Sequence, residues 1–203
     1  MNFTDYYSKF ETMQRWAIGD LRKSTIKGTA NFLVAMGLFN YIEMLGAFYF
    51  PEEEFKKGTR GIPEKRFNYV FENFLPKQYK AIFKELKDIA QKGAYDCLRC
   101  GMAHEYFIKA YSTKGTDITI AYTIYGVSEN DEAGYMENVV SKDCGIEIIT
   151  LEKNKYHLRV YNPRFIHDLN SAFETFKELV RKDKTYKEKF MKRCQEIHLE
   201  NFN

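Results

Sequence analysis

The stretch that most limits what this chain can fold into is its longest apolar run, Asn31 to Phe50, which reads NFLVAMGLFNYIEMLGAFYF. A helix over Thr29–Phe50 carries apolar side chains almost all the way round: Phe32, Leu33, Val34, Met36, Leu38, Phe39, Tyr41, Ile42, Met44, Leu45 and Phe48. A helix that is apolar on every side is enclosed by others, so the run predicts a helical bundle built around it. It is also long enough to span a bilayer. However, it contains Asn31, Asn40 and Glu43 and lacks a flanking cluster of positive charge. We therefore read it as a buried core helix, with no membrane partner. Pro51 ends it.

The rest of the composition fits that core. A chain of 203 residues suits one domain with a sizeable interior, or one domain with a small appendage. The 17 Phe and 15 Tyr, with only 4 Pro, favour long helices packed through aromatic rings. The net charge of +3, from 31 basic and 28 acidic residues, is too small to mark a nucleic-acid binder by itself, although it leaves room for a local basic patch. The N-terminal MNFTDYYSKFETMQRW is polar and charged, which points to the cytoplasm. Reduced thiols are then expected at Cys97, Cys100, Cys144 and Cys194. Cys97 and Cys100 form a CxxC, but a structural zinc site calls for a second close pair, and a redox motif calls for a strand before it. Neither is visible, so no metal and no cofactor are expected.

Helical spacing recurs at Phe10–Ile26, Arg66–Phe74 and Tyr79–Ala90. After a break near Gly93 it resumes with Tyr95, Leu98, Met102, Phe107 and Ile108. Between the first two helices and the third, Glu52–Lys65 reads as a charged loop with Gly58, Gly61 and Pro63. Lys56, Lys57, Arg60, Lys65 and Arg66 make it the densest basic cluster in the chain. Arg60 and Arg66 are candidates for touching a polyanionic substrate, and a solvated loop is the plainer explanation. From Ile118 the period changes to two: Ile118, Ile120, Tyr122 and Ile124 alternate with smaller residues, Ile146–Leu151 forms a second strand, and Tyr156, Leu158 and Val160 a third. The last two read as a hairpin turning at Lys153–Lys155. His157 and Arg159 share that strand's other, solvated face. Asn162-Pro163 then reads as an N-cap and first turn, followed by helices to about Lys182 and from Tyr186 to Ile197. The expected fold is mainly α (α+β). It is an antiparallel helical bundle in one domain, 1–203, with a small antiparallel sheet inserted at about 116–161, before the C-terminal helices.

The chemistry concentrates in Asp96–Tyr106, DCLRCGMAHEY. Arg99 offers the planar fork that suits a phosphate. His104 is of the one residue type whose ordinary pKa, about 6.5, lets it take and give a proton near neutrality. Together they are a minimal kit for breaking a phosphodiester without a metal. The ordinary alternative is that Arg99 pairs with a buried acid and His104 is a satisfied core histidine. Glu43, a carboxylate in apolar surroundings, needs a cation, and Arg99 is the candidate; another base or a solvated rim position would serve equally. On a straight α-helix the two side chains, five residues apart, diverge by about 140°. Convergence on one phosphate therefore requires a bend, for which Gly101 lies in the right place, or a groove flanked by both.

The YIEMLGAF helix, a glycine-bearing loop, RFNYVFENFLPKQY, the LRCGMAHEYF helix, strands and a closing aromatic helix occur in that order. The series resembles the HEPN superfamily, in its bacterial and archaeal branch with the Arg-x4-His motif. The resemblance covers roughly Asn31–Tyr106, and the closing helix more loosely. It implies a helical bundle, often dimeric, in which Arg and His of both subunits line a cleft and cleave RNA without a metal. Carried over, Arg99 would hold the scissile phosphate and His104 would exchange protons with the 2′-hydroxyl or the leaving oxygen, giving a 2′,3′-cyclic phosphate. Glu43 would orient Arg99, with Cys100, Gly101 and Glu105 in support. The class implied is a metal-independent endoribonuclease of toxin or defence type, a homodimer acting on RNA and open to an antitoxin protein partner. Many active members carry Asn, Asp or His directly after the arginine. Cys100 stands there instead and hydrogen-bonds more weakly. This opens the alternative of a non-catalytic module that binds nucleotide, RNA or a protein partner.

Overall fold

The computed structural model describes residues 1–28, 30–51, 54–55, 58–100, 110–112 and 118–201. Helix α1 (Phe3–Ile26) begins earlier than the apolar spacing suggests, because Asn2 and Asp5 close a reciprocal capping box there. Helix α2 (Asn31–Tyr49) is the apolar run. Helix α3 (Ile62–Asn73) starts within the stretch expected to be loop, with Pro63 in its first turn where the missing N–H is harmless. Helix α4 (Tyr79–Ile89) leads to a π-helical segment, Tyr95–Cys100. Strands β1 (Ala110–Ser112) and β2 (Thr119–Tyr125) follow, then α5 (Glu132–Ser141), β3 (Ile146–Glu152) and β4 (Lys155–Tyr161). Helices α6 (Asn162–Lys182) and α7 (Lys184–Glu196) and a 3₁₀ turn at Leu199–Asn201 close the described chain.

The mainly α, α+β class stands, and the sheet lies before the C-terminal helices. The sheet is mixed, however, where an antiparallel one was expected. Its order is β1-β2-β4-β3; β1/β2 and β3/β4 are antiparallel, and β2 runs parallel to β4 from Thr119↔Lys155 to Tyr125↔Tyr161. Parallel neighbours need a long crossover. The missing piece in the sequence reading was α5, which together with β3 carries the chain back to the starting edge.

Val34, Ala35, Leu38, Phe39, Ile42 and Leu45 of α2 are all buried, packed among α1, α3, α6 and α7. Where α1, α2, α6 and α7 meet, Phe10 contacts Phe48 edge-on at 4.8 Å, and Phe190 stacks on Phe48 at 5.7 Å. The expectation that α2 is enclosed on every side is corrected. Leu33 is 61% exposed and Asn40 lies on the surface, so one face of the helix stays outside. Among the described helices α2 alone has the length and apolarity to cross a membrane, and half of that stretch is buried within the fold.

The closest approach in the bundle is between α2 and α3. A Cβ placed on Gly46 would stand 2.1 Å from the Arg66 carbonyl oxygen, a backbone atom with nowhere to retreat. Gly46→Ala is therefore expected to destabilise the fold by about 3 kcal/mol, at the upper end of overpacking costs. A lower urea midpoint at unchanged m value would show it, and a midpoint equal to the parent's would refute the tight packing.

Candidate functional site

The segment bearing Arg99 is pinned from three sides. Asn68 of α3 accepts from the Tyr95 N–H at 3.1 Å and donates to the Lys92 carbonyl at 2.9 Å. Asp96 accepts from the Lys92 N–H at 3.2 Å, which closes the turn that precedes the segment. From β2, the Tyr122 hydroxyl donates to the Cys97 carbonyl at 2.5 Å. Inside, Cys97 and Leu98 are buried, and burial pushes the Cys97 thiol up to about 12. Cys97 is thus a packing residue. Its sulfur faces the Leu86 carbonyl at 3.9 Å.

The winding differs from the expected α-helix. In an i→i+5 ladder, residue i+5 comes back above residue i, whereas in an α-helix the two point apart. Tyr95 and Cys100 illustrate this, since their side chains interact across one turn. Such segments are rare and frequent at functional sites. His104, Gly101 and Glu105 lie outside the described residues, as does the bend considered at Gly101.

Arg99 and Glu43 are brought together. Arg99 Nε stands 3.5 Å from Glu43 Oε2, with about a quarter of each side chain exposed. Nε makes no hydrogen bond, so the contact is coulombic and not a bidentate fork. Among the described residues no other acid lies within ion-pair distance of Arg99. Tyr95 borders the pair. Its hydroxyl is pushed up to about 12, first by burial and then by the charges of Cys100 and Glu43. Burial, followed by Asp96, also raises the Cys100 thiol, which is therefore a neutral thiol at pH 7.

The two other arginine candidates are not part of this cluster. Arg60 is exposed on the loop before α3. Arg66 is only 7% exposed, and its Nε and Nη2 donate to the Phe50 carbonyl at 3.0 and 2.8 Å. It ties off the C-terminus of α2, so a substrate contact is not what this side chain offers. Asn162 is likewise inside α6 and not its cap; its Nδ2 donates to the Asn31 carbonyl at 2.8 Å. His157 meets the Thr123 hydroxyl at 2.7 Å on the outer face of the sheet. Among the described residues no cluster of three or more His, Cys, Asp or Glu is arranged to hold a metal ion.

Sequence reasoning missed one polar centre entirely. Asp168 of α6, fully buried, accepts from the Tyr79 hydroxyl at 2.7 Å and from Arg164 Nε at 2.9 Å. The only local signal is the i,i+4 spacing of Arg164 and Asp168.

Fold and site together define a mainly α, α+β protein with an arginine–glutamate pair at a π-helical segment. No protein-family model matches the chain, and no curated protein or solved structure is significantly similar to it.

Proposed function

We propose that the protein is a metal-independent endoribonuclease of toxin or defence type, acting as a homodimer. Arg99 binds the scissile phosphate and stabilises the charge that develops on it. His104 removes the proton from the ribose 2′-hydroxyl or delivers one to the departing 5′-oxygen. The 2′-oxygen attacks the adjacent phosphorus, the P–O5′ bond breaks, and the products are a 2′,3′-cyclic phosphate and a 5′-hydroxyl. Glu43 positions Arg99.

The observation that carries this reading is the state of Arg99. Its side chain is a quarter exposed, its one acidic partner among the described residues stands at 3.5 Å, and its buried Nε makes no hydrogen bond, so the guanidinium is not committed to a structural fork. A purely structural arginine looks like Arg66, buried with its fork filled. Support for a second copy comes from the outer face of α2. There Leu33 is 61% exposed and Asn40 lies on the surface, so this face of the helix is open to a second copy. The raised Cys100 thiol, a weak hydrogen bonder, favours the second reading, a module that binds RNA, a nucleotide or an antitoxin-like protein without cutting.

The test is incubation of unstructured RNA with the purified protein in excess chelator. Fragments ending in a 2′,3′-cyclic phosphate are expected. A folded protein that leaves every RNA intact rules out the nuclease reading in favour of the binding module.

A further inference from the structure

The outer side of α4 carries Lys80, Lys84 and Lys87, while Tyr79, Phe83, Leu86 and Ile89 bury the other side. Spacings of four and three residues put the three ammonium groups on one stripe. Along the helix axis they are about 6 Å and about 4.5 Å apart. With Glu72 and Asn73 of α3 they line a groove of about 460 Å³.

The three lysines share one groove, and their charge is not matched there by ion pairs of the kind made elsewhere on the surface. Lys155, Lys177, Lys182, Lys184 and Lys189 each pair with a glutamate. None of Lys80, Lys84 and Lys87 has a carboxylate within ion-pair distance among the described residues, although Glu85 and Asp88 lie on the same helix. Like charges one turn apart repel, and a bound anion would relieve that repulsion. Lys87 sits 4.4 Å above the Phe83 ring, over the apolar floor of the groove. Its stem also lies against Gly93, whose added Cβ would be 3.0 Å from Lys87 Cγ. The lysine stripe therefore ends at the turn that starts the Arg99 segment.

We infer that the α3–α4 groove binds the backbone of single-stranded RNA, with Lys80, Lys84 and Lys87 on successive phosphates. The choice of RNA among polyanions rests on the ribonuclease reading of Arg99 and His104. Ammonium groups on flexible stems act as point charges that track a phosphate chain. Glu72 and Asn73 on the facing wall keep the anionic backbone on the α4 side and offer acceptors to base amino groups.

The test is fluorescence anisotropy of a labelled, unstructured RNA of about 12 nucleotides, a length within the range of single-strand site sizes. It is run in chelator with Arg99→Ala protein, so that binding is read without cleavage. Each phosphate contact in a single strand contributes about 0.7 to the slope of log affinity against log salt. The triple change of Lys80, Lys84 and Lys87 to Gln is expected to lower that slope by about 2, and Lys84→Gln alone by about 0.7. The triple change to Arg keeps both slope and affinity. An unchanged slope in the Gln variants overturns the proposal, as does an Arg99→Ala protein that binds no RNA at low salt. An acidic peptide that competes as well as RNA of equal charge overturns it too, in favour of a protein partner. If wild-type protein binds RNA through the lysines yet leaves it uncut, the groove stands and the nuclease reading falls. If the triple Gln variant cuts dilute RNA as fast as wild type, the nuclease stands and the groove falls.

Discussion

Arg99→Ala is expected to lower chelator-resistant RNA cleavage by about 10²–10³-fold, the loss that follows removal of one preorganised donor to a developing anion. The effect should fall on kcat more than on KM, because the negative charge that the guanidinium meets grows in the transition state. Arg99→Lys restores the charge without the fork and should recover only part of the rate. His104→Ala is expected to lose about 10²–10⁴-fold through the proton transfer it removes. Stability provides the control. The Glu43 contact is 3.5 Å long and partly exposed, so it contributes no more than about 1 kcal/mol. Arg99→Ala should therefore fold nearly as well as the parent. Full cleavage by Arg99→Ala, or a loss that merely tracks a lower melting temperature, would make Arg99 a structural residue and end the nuclease reading.

How much of this was legible in the sequence depended on how local the cause was. The bounds of α2 were plain because Pro51 and the apolar run define them, and Asn31–Tyr49 falls within the expected Thr29–Phe50. The Glu43–Arg99 pairing was legible only as one of several readings, since a carboxylate among apolar side chains calls for a cation but the sequence alone also allowed another base or a solvated rim position. The π winding was not, since Tyr95 and Leu98 repeat at a spacing that an α-helix shares. Helix α5 was missed because only Tyr135 and Val139 are buried along it, too few to set a period. Without α5 the parallel pairing of β2 and β4 had no crossover to suggest it. Arg66 was misassigned because a basic cluster beside glycines looks the same whether its members face solvent or a carbonyl. What separates Arg66 from Arg60 is the Phe50 carbonyl at the end of α2, brought to it only by packing.

The most destabilising polar substitution in the described chain should be Asp168→Ala, at about 3–5 kcal/mol, the cost of leaving a buried charge without its partner. One carboxylate there serves several elements. Its Oδ2 accepts from the Tyr79 hydroxyl of α4 at 2.7 Å and from the Gly145 N–H before β3 at 3.3 Å. Its Oδ1 accepts from Arg164 Nε at 2.9 Å, and Arg164 Nη1 goes on to the Val139 carbonyl of α5 at 2.9 Å. The Tyr79 hydroxyl, held far above its ordinary pKa by burial first and then by the charges of Cys144 and Asp168, stays protonated and remains a donor. It also accepts from the Gly145 N–H at 2.9 Å. Removing the carboxylate strands a guanidinium and a phenol together. Asp168→Asn keeps the shape and one acceptor but loses the charge opposite Arg164, so a smaller loss of about 2 kcal/mol is expected. Urea unfolding at pH 7 measures both. If Asp168→Ala unfolds within about 1 kcal/mol of the parent, Arg164 and Tyr79 must find other partners or water. In that case the sheet is fastened to the helices by its apolar inner face alone, through Ile120, Ile146, Leu158 and Val160.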